Sequence, residues 1–309
     1  MTNITIVGSF AVGMTIRAPQ LPIFGQTLLG TDFDMGPGGK GSNQAVGTAR
    51  LGASSSLVAI IGEDKLAEIA FDLYAAEGVN TDYLHRTQER PTGVGFIILN
   101  QKGENFIILD MGANNLMDAA FVDQAEAKIA AGDLVMAVLE IPVAAAMRAM
   151  EIGKKHGKTT ILNPAPAVPL PKEIFRYIDY LTPNESELRI LLGLAPDDPT
   201  PTRTLAAQLR AFGVQNVIVT MGENGALILT DSVDLLVPSF SVEVVDTTGA
   251  GDAFNSGLAV ALGEGKPLVE AVRFGCACGA LACTQLGVIP SLAQRTAVET
   301  LLAQHQITD

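Results

Sequence analysis

Tryptophan is absent from this 309-residue chain, histidine and cysteine occur three times each, and aromatic residues make up only 5%. Charge is scarce as well: Asp, Glu, Lys and Arg account for 17%, below the roughly 25% of an ordinary soluble chain, while hydrophobic residues reach 48%. A large share of the chain must therefore be buried. With so few aromatics the core has to be built from Ala, Val, Ile and Leu, which suits a parallel sheet covered by helices. Disorder and a mini-protein are both excluded, and the length suffices for a self-sufficient core and, on its own, for as many as two domains.

The cysteines, Cys276, Cys278 and Cys283, share the single run GCACGALAC, so no disulfide framework can span the fold. On a helix Cys276 and Cys278 point about 200° apart. A metal cluster there would lack a common face and a fourth ligand. Basic residues number 20 against 33 acidic ones, a formal charge of −13 that repels nucleic acid and anionic membranes. A small phosphorylated ligand would need local help from backbone N–H groups, a lysine or a metal ion. No 18-residue apolar stretch occurs, and only MTN, without a basic leader, precedes the first apolar run. The expectation is a cytoplasmic, soluble protein.

Buried strand patterns recur at residues 4–9, 57–61, 134–139, 159–162 and 217–220, separated by helical patterns at 41–51, 64–77, 119–130, 143–156 and 202–212. This alternation predicts an α/β fold with a doubly wound, mostly parallel sheet. Later helices over 252–262, 267–284 and 292–305 are expected on one edge. Two segments alternate apolar and polar residues instead: 15–35, and the pair 93–99 and 105–110 around the turn Gln101-Lys102-Gly103-Glu104. They read as antiparallel strands inserted at about 13–36 and 92–111 into one α/β domain spanning 1–309, forming a small β-sheet lid. A bound ligand and a second subunit are both expected to cover that sheet. No internal repeat or interdomain linker interrupts the chain.

Two glycine-rich segments carry the chemistry. Gly36-Pro37-Gly38-Gly39-Lys40-Gly41-Ser42-Asn43 contains a G-x-G-x-x-G, but a dinucleotide fingerprint should follow the first strand directly, and here about 27 positions intervene. It is not a Walker A loop either, because Asp34 stands where the first Gly belongs and Gly41 follows Lys40. What remains is either a tight turn into a helix or bare backbone that a polar ligand can approach, flanked by Lys40 and Asn43. In Asp246-Thr247-Thr248-Gly249-Ala250-Gly251-Asp252-Ala253-Phe254, Gly249 and Gly251 allow amides to converge where a helix begins, forming an anion hole. Asp252 there is either a helix cap or, beside an anion hole, an acceptor for the proton of an attacking hydroxyl.

GGKGSNQA and DTTGAGDAF together resemble the two signature regions of the ribokinase-like (PfkB) family of carbohydrate kinases. IVGS, LEIP around Glu140, LNPAPA, TPNESE, VTMGENG and GVIPS are similar to that family in the same order, so the resemblance covers essentially the whole chain. It implies an ATP-dependent, Mg²⁺-requiring sugar kinase with a monovalent cation, usually K⁺, and a homodimer formed through the lid. Asp252 would be the catalytic base, with Gly249, Ala250 and Gly251 directing amides at the γ-phosphate. Gly38, Gly39, Lys40, Gly41, Asn43 and Glu140 would hold the sugar together with Asp252. Asn184 and Glu187 would serve the triphosphate and, through water, Mg²⁺; Thr220, Gly222, Gly225 and Cys276 would line the nucleotide pocket together with Gly251. Asp246, Thr248, Ala282, Gln285, Gly287 and Ser291 would surround the monovalent cation.

One departure bears on the acceptor. The family follows its first strand with a pattern like G-S-x-N-x-D, whose Asp grips two ribose hydroxyls. This chain reads Gly8-Ser9-Phe10-Ala11-Val12-Gly13, with Ala11 and Gly13 at the polar positions. Losing a buried bidentate contact changes discrimination by several kcal/mol, on the order of the cost of an unpaired buried polar group. Free ribose becomes a poor candidate, and a deoxygenated, differently substituted or bulkier acceptor fits better. A nucleoside kinase and a catalytically idle sugar-binding regulatory protein are the competing readings; a nicotinamide-dependent oxidoreductase is a distant one.

Overall fold

The computed structural model describes residues 1–100 and 105–305. In chain order the strands are β1 (Asn3–Val7), β2 (Ala11–Arg17), β3 (Thr31–Gly38), β4 (Ser54–Gly62), β5 (Asn80–Thr87), β6 (Gly93–Leu99), β7 (Asn105–Asp110), β8 (Leu134–Val138), β9 (Thr159–Asn163), β10 (Tyr180–Leu181), β11 (Asn216–Thr220), β12 (Ala226–Leu229) and β13 (Asp234–Val237). The helices are α1 (Lys40–Arg50), α2 (Lys65–Glu77), α3 (Ala119–Gln124), α4 (Glu126–Ala131), α5 (Val143–Lys155), α6 (Glu185–Leu191), α7 (Thr202–Arg210), α8 (Ala250–Gly263), α9 (Leu268–Ala282), α10 (Val288–Ser291) and α11 (Arg295–Gln304).

Nine strands form a large sheet in the order β13-β12-β11-β10-β9-β8-β1-β4-β5. From β11 to β5 every neighbouring pair is parallel, and β12 and β13 close one edge as antiparallel strands. β8 is buried at every position and β4 at all but its first, as strands covered on both faces must be, which is why they read as unbroken apolar runs. β5 and β13 lack a strand signal because they lie at the two edges and mix polar, exposed residues with apolar ones; β12 is buried throughout, but its four residues are too short a run to stand out.

The helical pattern over 119–130 divides at Ala125, which ends α3 and opens α4. The late helices are not confined to an edge. α8 lies over the sheet centre, packed on α1, β1 and β8, while α9 reaches the β12–β13 edge. Gly47 is the reason α8 comes so close: a Cβ there would lie 2.4 Å from the Ser256 hydroxyl oxygen.

The small sheet has the order β3-β2-β6-β7. Its strands at 93–99 and 105–110 fall where the alternation put them, and the turn at 101–104 lies outside the described residues. The 15–35 alternation resolves into β2 and β3, with no strand over 18–30. The pairing is not wholly antiparallel, because β2 and β6 run parallel. Both leave the large body from adjacent roots, Phe10 and Thr92. Asn114 clamps the first, accepting from Phe10 N at 3.0 Å and donating to Phe10 O at 2.7 Å; Asp64, the N-cap of α2, accepts from Thr92 N at 2.7 Å.

Candidate active site

Parallel strands direct their carboxyl ends to one edge, and here the polar residues that leave them form a row. Ser9 follows β1, Glu140 follows β8, Asn163 ends β9, Thr182 follows β10 and Thr220 ends β11. Strand order reverses at β1, with β4 on one side and β8 on the other, so the crevice beyond these ends is the topological switch point.

α1 begins in that crevice. Its N-cap, Gly39, has φ 89°, and a Cβ on Gly41 would lie 2.3 Å from Ser9 N, so the entry to α1 and the exit of β1 touch backbone to backbone. Ser9 Oγ donates to Glu140 Oε2 at 2.6 Å and accepts from Gly41 N at 3.2 Å; Lys40 N donates to the same Glu140 oxygen at 2.7 Å. The G-x-G-x-x-G thus joins β3 to α1, not β1 to a helix. From the first turn of α1, Asn43 Nδ2 donates to Asp252 Oδ2 at 2.8 Å and Gln44 Nε2 donates to Asp252 Oδ1 at 3.0 Å.

α8 brings Asp252 to this point. Its N-cap Gly249 takes the left-handed conformation, φ 83°, with Val288 packed where a side chain would sit. No side chain caps the helix, and among the described residues the Gly251 and Asp252 amides have no acceptor. Gly251 is exposed with open space beside it, while Asp252 is only 4% exposed. Free amides at the positive end of a 14-residue helix, next to a held carboxylate, can receive an anion. Asp252 does not cap its helix; its carboxylate is turned to α1.

The electrostatics agree. The negative field of Asp252 raises the Lys40 ammonium above its ordinary range despite burial, with Glu140 and Glu187 adding to it. Lys40 has no ion-pair partner within 4.0 Å among the described residues, which leaves it for a ligand. Burial pushes the Glu140 and Glu187 carboxyls upward, and Lys40 opposes both shifts.

Asn184 and Glu187 form a capping box at the start of α6, each side chain bonded at 2.8 Å to the other's main-chain N–H, and Asn184 bridges to Thr220. Gly222 and Gly225 turn β11 into β12, and a Cβ on Gly225 would lie 2.0 Å from Val237 O. Cys276 is buried in α9, its thiol pushed up to about 12 by desolvation. Asp246 Oδ1 accepts from Thr248 N and Oγ1, at 2.9 and 2.7 Å, and Oδ2 accepts from Gly287 N at 3.3 Å. That carboxylate therefore ties the approach to α8 to the approach to α10, where Ser291 is buried; Gln285 is exposed. Ala282 ends α9, and its carbonyl has no donor among the described residues.

Residue types alone did not single out Ser9, Gln44, Asn163, Thr182 or Asn255. Their only sequence signal is position: each sits within or beside a motif already noted for another residue.

Residues 1–295 match the profile described as pfkB family carbohydrate kinase. The chain belongs to that family. As a member of the pfkB family it is a phosphotransferase with an alcohol acceptor. Its relatives include a Bacillus subtilis ribokinase, 37% identical over 303 residues, covering 98% of this chain and 100% of the relative. A Salmonella typhi deoxyribokinase is also 37% identical, over 253 residues, covering 82% and 83%. Among solved structures, Arabidopsis thaliana ribokinase complexed with ribose and ATP superposes with a TM-score of 0.91 at 31% identity, covering 98% of this chain and 99% of that one. No helix among the described residues is long and apolar enough to cross a membrane.

Proposed function

We propose that this pfkB-family kinase transfers the γ-phosphoryl group of ATP to a hydroxyl of a small sugar, with Asp252 as the base. The observation that carries the proposal is the pairing of the Asp252 carboxylate, bonded to Asn43 and Gln44, with the free amides that open α8. Asp252 takes the proton as the acceptor oxygen bonds to the γ-phosphorus and the bond from phosphorus to the bridging oxygen breaks, releasing ADP. The free Gly251 and Asp252 amides, presented by the turn at Gly249, stabilise the charge on the transferring group, and Lys40 adds a cation; the Ala250 N–H, expected to join them, instead donates to Thr247 O at 3.2 Å. Gly38 to Gly41, Asn43 and Glu140 hold the sugar; Thr220, Gly222, Gly225 and Cys276 flank the nucleotide.

The residues present fit both metal ions. Glu187 has one carboxylate oxygen outside its capping bond, and with Asn184 it would hold Mg²⁺ through water. The Ala282 carbonyl and the oxygens of Asp246, Thr248, Gln285, Gly287 and Ser291 would hold a hard monovalent cation. When bound, these ions neutralise phosphate charge and order the loop before α8.

The acceptor we favour is not free ribose. Gly13 pairs with Gly36 on one side and Gly95 on the other, so a side-chain-free row crosses three strands where the family places a carboxylate. A deoxygenated or bulkier acceptor matches that surface. The small sheet acts as a lid and as the contact of a homodimer; Phe33, Phe96, Phe106 and Ile108 leave exposed apolar surface on it. Asp252→Asn is the test: kcat should fall at least about 10²-fold with ATP affinity nearly unchanged. Near-normal turnover on the best acceptor, found by screening pentoses, deoxypentoses, hexoses and nucleosides, would remove Asp252 as base.

A further inference from the structure

We infer that Gln44 is a positioning residue: with Asn163, Thr182 and Asn255 it forms a hydrogen-bond ring that aligns the Asp252 carboxylate and the Gly251–Asp252 peptide together. This rests on the reading of Asp252 as base. Gln44 Nε2 uses both of its hydrogens, at 3.0 Å to Asp252 Oδ1 and 3.0 Å to Asn163 Oδ1. The direction of these bonds is set further along. Asn163 Nδ2 donates at 3.3 Å to the Thr182 main-chain carbonyl, which can only accept, so Asn163 must turn its oxygen to Gln44 and Gln44 its nitrogen to both partners.

Thr182 Oγ1 then donates to Asn255 Oδ1 at 2.6 Å, and Asn255 Nδ2 donates to Gly251 O at 2.8 Å. That carbonyl belongs to the peptide whose N–H is the free amide of Asp252. The ring therefore starts at the proton acceptor and ends on a donor of the anion hole, passing through α1, β9, the end of β10 and α8. The five residues that contribute side chains to it are at most 6% exposed, so water has little access to replace those side chains.

Packing alone gives no reason for an amide here. Gln44 Oε1 is buried without a partner among the described residues, a cost that an apolar side chain of the same length would avoid. Orientation of the carboxylate is the compensating gain.

Gln44→Met and Thr182→Val, singly and together, would be compared with wild type and Asp252→Asn by steady-state kinetics and thermal melts. Each single variant should lose about tenfold or more in kcat, the scale of a lost hydrogen bond to a charged group, with KM for ATP and acceptor within about twofold. The double variant should be no worse than the poorer single one, because a ring is opened only once. Unchanged kcat in Gln44→Met, a change confined to KM, or multiplying losses in the double variant would overturn the inference. If Asp252→Asn itself keeps turning over, the base reading falls and this one with it. Should Gln44→Met fail to fold, Thr182→Val and Asn255→Leu carry the same comparison.

Discussion

The floor of the crevice and the small sheet above it are built on opposite principles. On the floor, Ser9, Asn43, Gln44, Asn163, Thr182, Asp252 and Asn255 are all buried, and their side chains bond across separations of up to 209 residues. On the small sheet and its connecting loop, Ile23, Phe24, Leu29 and Phe33 are exposed, and the pairing is carried mainly by backbone ladders. A change on the floor disturbs several elements at once, whereas a change on the sheet disturbs little beyond its own contact. On the proposed function, the reaction class resides in the floor and the choice of acceptor in the sheet above it.

Matched glycine substitutions give the largest test of this contrast. Gly41→Ala puts a Cβ 2.3 Å from Ser9 N and should destabilise by at least about 3 kcal/mol in denaturant titration. Gly36→Ala on the small sheet meets nothing within 4 Å and should cost less than about 0.5 kcal/mol. Equal costs would break the comparison. Next in size, Gly251→Ala separates function from folding within the floor. The position is helical and open, so the melting temperature should hold or rise, while kcat/KM for ATP falls about tenfold as the methyl crowds the free amides.

Asp64, at the root between the two regions, titrates with folding. Burial acts to raise its carboxyl, but bonds from Thr92, Ala67 and Leu66 outweigh burial and hold it below its ordinary 3.8. The stabilisation is thus complete above that value and lost as pH falls through the depressed one. Asp64→Asn should cost about 1 kcal/mol at neutral pH, the scale of a lost helix cap, and flatten the acid side of the stability profile; a profile parallel to wild type would contradict this. The smallest structural effect is expected for Gly13→Asp, where a Cβ meets only Ile97 Cδ1 at 3.7 Å and Gly36 O at 3.8 Å. Its melting temperature should stay within about 2 °C, under the roughly 2–4 °C that 1 kcal/mol moves a domain of this size, while turnover of free ribose rises. No gain on ribose would remove the acceptor argument.

Local pattern made much of this legible beforehand. The strands β4, β8 and β9 could be read from apolar runs, because those runs reflect burial on both faces; β6 and β7 also fall where the sequence puts them, although residues 106–110 of β7 are exposed, so burial is not what made that strand legible. Asp252, Lys40 and Asn43 stood out because glycines beside them announced bare backbone. Gln44 sits next to Asn43, yet nothing local distinguishes a glutamine that faces a carboxylate 208 residues away from one in solvent. The parallel pairing of β2 with β6, and the seat of α8 over β1, were hidden for the same reason.

The amino-acid sequence by itself determined the α/β class, the order of most of its elements, the two glycine-rich turns and the family, because periodicity and backbone freedom are written residue by residue. Only the tertiary structure decided that Asp252 is held from α1, that its helix covers the sheet centre, and that four further side chains close a ring around it. Those facts depend on which strand ends become neighbours, and that is a property of the whole sheet, present in none of its segments.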